Sequence, residues 1–105
     1  MEAPISPGRG TLTTTADYKP MGRLDGSTAA AHEKSIQELL AGEVDSIDIN
    51  LSELDYLSSA GLRVILVAAK TAKTKGGKVV LISPKPAILD VLKASGFDSL
   101  VQIQA

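Results

Sequence analysis

The stretch Leu54-Asp55-Tyr56-Leu57-Ser58-Ser59-Ala60-Gly61-Leu62-Arg63-Val64-Ile65-Leu66 constrains this 105-residue chain more than any other. It reads as the exit loop of an apolar strand carrying two adjacent hydroxyls, followed at once by an amphipathic helix. A serine at such a junction sits on or beside a helix N-terminus. There the unpaired backbone N–H groups and the positive end of the helix dipole favour an anion such as a phosphate. The same residue type is also among the preferred N-caps, so Ser58 or Ser59 has two readings, cap or phosphate-bearing site.

The chain is long enough for one domain with a core, and too short for two. Its core is aliphatic: 44% of residues are hydrophobic and 3% aromatic, the latter being Phe97, Tyr18 and Tyr56. So few aromatics argue against nucleic-acid binding by base stacking. A net charge of −1 gives no global field toward a nucleic acid or an anionic membrane. With no cysteine, disulfides, thiol nucleophiles and thiolate metal sites are excluded. No apolar run approaches the roughly 20 residues that span a bilayer, and the N-terminus lacks a signal-peptide core. The reading is a cytoplasmic protein with no membrane insertion and no nucleic-acid partner.

Along the chain, residues 1–10 are rich in Pro and Gly and predict a flexible arm, leaving 11–105 as the domain. Thr11–Thr15 has β-branched strand character, and Tyr18–Leu24 predicts a second strand, held to an edge or irregular position by Pro20. Asp25-Gly26-Ser27-Thr28 is a turn and cap cluster opening a helix over 29–41, ended by Gly42. Ser46–Leu51 alternates polar and apolar residues as a strand does. A second helix runs over 60–74 with Leu62, Ile65, Leu66 and Ala69 as its predicted core stripe. Gly76-Gly77 breaks it, and Lys78–Ile82 is a buried-type strand. Ser83-Pro84 predicts the start of a third helix, with Ile88, Val91, Leu92 and Ser95 inward and Gly96 as its stop. Leu100–Ile103 closes the chain as a short strand. The order β-β-α-β-α-β-α-β predicts an α/β domain, a mixed sheet that is parallel after the opening strands.

Catalytic chemistry has little to work with. His32 is the only histidine and sits one turn before Ile36, a boundary position. No Gly-x-Ser-x-Gly elbow surrounds the serines, and no Walker or dinucleotide glycine pattern occurs. Asp45, Asp48, Glu53 and Asp55 flank one strand without metal-ligand spacing, so neither metal nor cofactor is expected. Lys70, Lys73, Lys75 and Lys78 cluster at the end of the second helix, where cations suit the dipole and could also meet a phosphate or lipid headgroup. Ala60, Val64, Val67 and Ala68 lie beside the predicted core stripe; they either pack under the neighbouring helix or form a docking surface for a partner protein.

Two stretches carry a family likeness: Gly22-Arg23-Leu24-Asp25-Gly26-Ser27-Thr28, and Ile49-Asn50-Leu51-Ser52-Glu53-Leu54-Asp55-Tyr56-Leu57-Ser58-Ser59-Ala60-Gly61-Leu62. With the strand–helix order between and after them, the chain resembles the STAS-domain family of bacterial anti-sigma factor antagonists. The resemblance covers about Gly22 to Ile103. It implies a binding module rather than an enzyme. The unmodified form would bind an anti-sigma factor that is also a serine kinase, freeing a sigma factor and so regulating transcription. Phosphorylation would end that complex, and a PP2C-type phosphatase would reset it.

Many relatives read Asp-Ser-Ser/Thr-Gly at this place. Aligned on the glycine, the modified serine falls on Ser59, while Ser58 stands where the aspartate would be and is the secondary candidate. Asp25 matches the acidic residue entering the first helix, and Asn50 the polar residue at the strand's end. The partner-binding set is then Asp25, Thr28, Asn50, Ser58, Ser59, Gly61, Val64 and Val67. The chain ends after its last strand, where relatives often add a helix; one side of the sheet is expected to be less covered and to favour a homodimer. The alternative use of the same scaffold is an accessory subunit that regulates a lipid or anion transport system without being phosphorylated.

Overall fold

The computed structural model describes residues 14–104. The predicted arm over 1–10 and the first part of the Thr11–Thr15 strand lie outside them. The elements in chain order are β1 (Thr15–Tyr18), β2 (Gly22–Leu24), α1 (Ala29–Leu39), β3 (Ser46–Asn50), β4 (Leu54–Leu57), α2 (Ser59–Thr74), β5 (Val79–Ile82), α3 (Pro86–Ala94), a 3₁₀ turn (Phe97–Ser99) and β6 (Gln102–Gln104).

The single α/β domain stands as expected, and the strand count and pairing differ. Four strands form one sheet in the order β1-β3-β5-β6, and β2 and β4 form a second, two-stranded sheet. Every pairing among the described residues is parallel, including those of the opening strands. The sheet is therefore not mixed. Parallel strands are covered on both faces and read as apolar runs, which is how Val79–Leu81 behaves, every residue buried. Leu54–Leu57, taken from the sequence as a loop, is the extra strand β4.

The core gathers Ile47 and Ile49 of β3, Leu81 of β5, Ile36 of α1 with Leu40 just after it, and Ile65, Ala68 and Ala72 of α2, each at 1% exposure or less. Burying each Leu or Ile side chain contributes about 1.5–3 kcal/mol. Helices α1 and α2 pack on each other. Lys75, just past α2, donates through Nζ to the carbonyls of Leu40 and Gly42, satisfying acceptors that the end of α1 leaves unpaired. That use removes Lys75 from the basic cluster. Gly77 is fixed by close approach: a Cβ there would run into the carbonyl of Asp45.

Helix α3 begins two residues later than predicted. Pro86, not Pro84, takes its first turn, with Lys85 as cap. Ser83 has a positive φ of 53° and its N–H donates to the Gln104 carbonyl at 2.6 Å. The bond extends the β5–β6 ladder past Ile82, so the chain cannot turn into a helix there. Of the predicted inner face, Ile88 and Leu92 are buried, Val91 is half-buried and Ser95 exposed.

Candidate functional site

The site grows from the β2–β4 pair. Arg23 stands opposite Tyr56 and Leu24 opposite Leu57. The ladder runs one step further, with the Ser58 N–H donating to the Leu24 carbonyl at 3.1 Å. That bond holds Ser58 extended (φ −98°, ψ 177°), and α2 starts at the next residue. Ser58 is the N-cap: its Oγ accepts from the Gly61 N–H at a long 3.4 Å, and its carbonyl accepts the N–H of Leu62 at 2.9 Å. The two readings of the serine pair thus separate. Ser58 is half-buried and capping, whereas Ser59 is exposed in the first turn.

Gly61 is buried and admits no side chain. An added Cβ would strike the Leu24 carbonyl oxygen and lie 2.7 Å from Leu57 Cδ1 and 2.9 Å from Leu24 Cγ. The helix start is therefore pressed onto the ends of both short strands. Ser59 is carried by rigid elements rather than by a loop.

The next residue after Leu24 is Asp25, which opens the turn into α1. Its carboxylate accepts from the Ser27 N–H at 2.9 Å, from Ser27 Oγ at 2.7 Å and from Arg23 Nε at 2.7 Å. The Ser27 hydroxyl first, then the Arg23 guanidinium, hold the Asp25 carboxyl well below the usual carboxylate range. Thr28 Oγ1 accepts from the Asp25 N–H at 3.0 Å and donates to the Arg23 carbonyl at 2.9 Å, locking the turn. The Arg23 guanidinium also lies 4.3 Å from the centroid of the Tyr56 ring. Sequence reasoning missed this Arg23–Tyr56 stack. Both residues lie inside the two characteristic stretches, but their contact depends on β4.

The structure brings Asp25, Thr28, Ser58, Ser59 and Gly61 to the junction of β2, β4 and α2. Asn50 is placed elsewhere, at the end of β3. Its Oδ1 accepts from the Ser52 N–H at 2.9 Å, an Asx turn, and it lines a small hollow with Tyr18, Lys19 and Asp48. Val64 is a correction. At 2% exposure it belongs to the core with Ile65 and Ala68, so it offers nothing to a partner. The core face of α2 is Gly61, Val64, Ile65, Ala68 and Ala72, a rotation of the predicted stripe; Leu62, Leu66 and Ala69 are half-buried on its flank. Val67 is half-buried as well. Boundary residue His32 faces β1, where its Nδ1 lies 2.6 Å from the Tyr18 hydroxyl. Among the described residues, no three His, Asp or Glu side chains gather as metal ligands.

The fold and this junction define a small parallel α/β module that carries an exposed serine at a helix start. A family model for the STAS domain matches residues 11–105, and the chain belongs to that family. BtrV of Bordetella bronchiseptica, named as an anti-sigma factor antagonist, is 37% identical over 84 residues, covering 76% of this chain and 72% of BtrV. A Thermotoga maritima protein, also named as an anti-sigma factor antagonist, superposes with a TM-score of 0.80 at 26% identity, over 87% of this chain and 79% of the other. The anti-sigma factor antagonist SpoIIAA of Bacillus shares the fold at 20% identity in both states. Its unphosphorylated form gives a TM-score of 0.74 over 92% of this chain and 85% of that one. Its phosphorylated form gives 0.68 over 92% and 88%. No described helix is long and apolar enough to cross a membrane.

Proposed function

We propose that this chain is an anti-sigma factor antagonist acting in the cytoplasm, with Ser59 as its phosphorylation switch. Unmodified, it binds an anti-sigma factor that is also a serine kinase; phosphorylated on Ser59, it lets go, and a PP2C-type phosphatase resets it. It acts as a binding module and not as an enzyme. The observation that carries this reading is the exposure of Ser59 in the first turn of α2, beside a neighbour already committed to capping.

The physics supports a switch that spares the fold. A phosphate adds about −1.5 to −2 charges, and at a helix N-terminus the dipole and free N–H groups favour it. SpoIIAA matches this fold in both its phosphorylated and unphosphorylated forms. What changes is the surface. Asp25, already ionised, follows Leu24 just as Ser59 follows Ser58, and Leu24 and Ser58 share a backbone bond. A phosphate therefore adds charge to an acidic rim, and burying it against a partner without a matching cation is costly.

The test is a pull-down from the native cell with wild type and Ser59→Asp, each followed by phosphopeptide mapping. Wild type should retain a kinase-bearing partner and gain its phosphate on Ser59; Ser59→Asp should retain neither. A phosphate found only on Ser58 or on Thr13–Thr15 overturns the assignment.

A further inference from the structure

A cavity away from the serine junction lies along the C-terminal half of α2, from about 10 to about 20 Å beyond Ser59 at 1.5 Å per helical residue. It is a groove of about 540 Å³ between the last turns of α2 and the start of β5, closed on the far side by the segment entering β6. Leu66, Val79 and Leu100 contribute apolar surface, and Leu100 is 59% exposed at the mouth. Lys70 and Lys73 stand on the helix bank and Lys78 on the strand bank.

The helix dipole accounts for only one of these cations. Its effect fades beyond the last turn, which holds Lys73 alone; Lys70 precedes that turn and Lys78 follows the helix. Lys75 shows what a structural lysine does here, since it is spent on the carbonyls ending α1. Lys78 has a 3.4 Å contact with Gln102 Oε1, and the ion pairs among the described residues, Arg23–Asp25 and Lys85–Asp55, lie elsewhere.

An apolar floor with cations on both banks complements an apolar chain ending in an anion. We propose that this groove binds a free single-chain amphiphile with an anionic head, of the fatty-acid class. Its volume falls within the roughly 300–1,000 Å³ of small-molecule sites. A partner helix about 10–12 Å across would need a longer trough. A membrane would need the apolar residues on a convex tip, whereas Val79 is 3% exposed at the groove's base. The site is independent of Ser59 and of the proposed switch.

The test uses sodium decanoate as probe, followed by amide chemical shifts of the ¹⁵N-labelled protein. Saturable binding is expected, with shifts confined to the segments around Leu66, Val79 and Leu100. The double variant Lys70→Glu/Lys78→Glu, whose side chains are exposed, should keep the wild-type melting temperature and bind at least about tenfold more weakly. Lys70→Arg should bind as wild type does. Decyltrimethylammonium, the same chain with a cationic head, should bind at least about tenfold more weakly than decanoate. Shifts that do not saturate, that map elsewhere, or that decyltrimethylammonium reproduces at equal affinity overturn the proposal. So does co-sedimentation with phosphatidylglycerol vesicles by a protein that ignores free decanoate.

Discussion

The backbone carbonyl of Leu24 occupies the space that a side chain on Gly61 would need. This single close approach fixes the start of α2 against β2, and with it the position of Ser59 relative to Asp25. Gly61 serves the site by packing rather than by backbone flexibility.

Gly61→Ala should therefore destabilise the fold by about 1–3 kcal/mol, the usual cost of overpacking a core with no room to yield. Chemical denaturation measures it. Gly26→Ala is the control, since a Cβ at Gly26 meets nothing within 4 Å. Equal stability of the two variants would mean that α2 slides freely on β2, and the rigid junction would be wrong.

The adjacent serines should part company under mutation. Ser58→Ala removes the cap and should cost about 0.5 kcal/mol, the low end of the capping range, given its long 3.4 Å bond. Ser58→Asp, which restores an acceptor at the cap, should recover that loss. Ser59→Asp should leave circular dichroism and melting nearly unchanged, while partner affinity falls at least tenfold, about 1.4 kcal/mol. Unfolding of Ser59→Asp would make this serine structural and remove the switch.

How much of this was legible beforehand depended on how far each feature reaches in sequence. The alternation in Ser46–Asn50 and the long apolar period of α2 are local, and both elements lie where they were predicted. Strand β4 was not visible because Leu54-Asp55-Tyr56-Leu57 has apolar ends around two exposed residues, which matches neither the period of a strand nor that of a helix. Its partner β2 is three residues long, so neither strand announces the other. Missing β4 also hid the Arg23–Tyr56 stack. The choice between Pro84 and Pro86 as first helical proline rested on a hydrogen bond from Ser83 to Gln104, a residue near the end of the chain. The serine junction itself was readable because capping chemistry is local. The core face of α2 was not, since its apolar residues cover more than one stripe and only packing against α1 and the sheet selects among them.

Val64 follows from that selection. Val64→Lys would bury an unpaired charge at a 2% exposed site, and the variant should be as badly destabilised as Ile65→Ala, which should lose about 2–5 kcal/mol. Urea denaturation of both variants checks this. A stable Val64→Lys protein that has lost only its partner would restore Val64 to the docking surface.

The last prediction concerns pH at the Asp25 turn. Two hydrogen bonds from Ser27 and one from Arg23 favour the ionised carboxylate, so its folded pKa lies below the ordinary value of 3.8. A depressed folded pKa gives stability that is fully present above the unfolded value and is lost as pH falls through the folded one. Wild type should therefore exceed Asp25→Asn in stability by a constant margin from neutral pH down to about pH 5, and the margin should shrink only below the unfolded value, near 4. Denaturation midpoints of the two proteins across this range measure it. A margin that closes between pH 7 and 6 would point to a different titrating group, and would remove the Arg23–Asp25–Ser27 network as the reason the turn beside Ser59 keeps its charge.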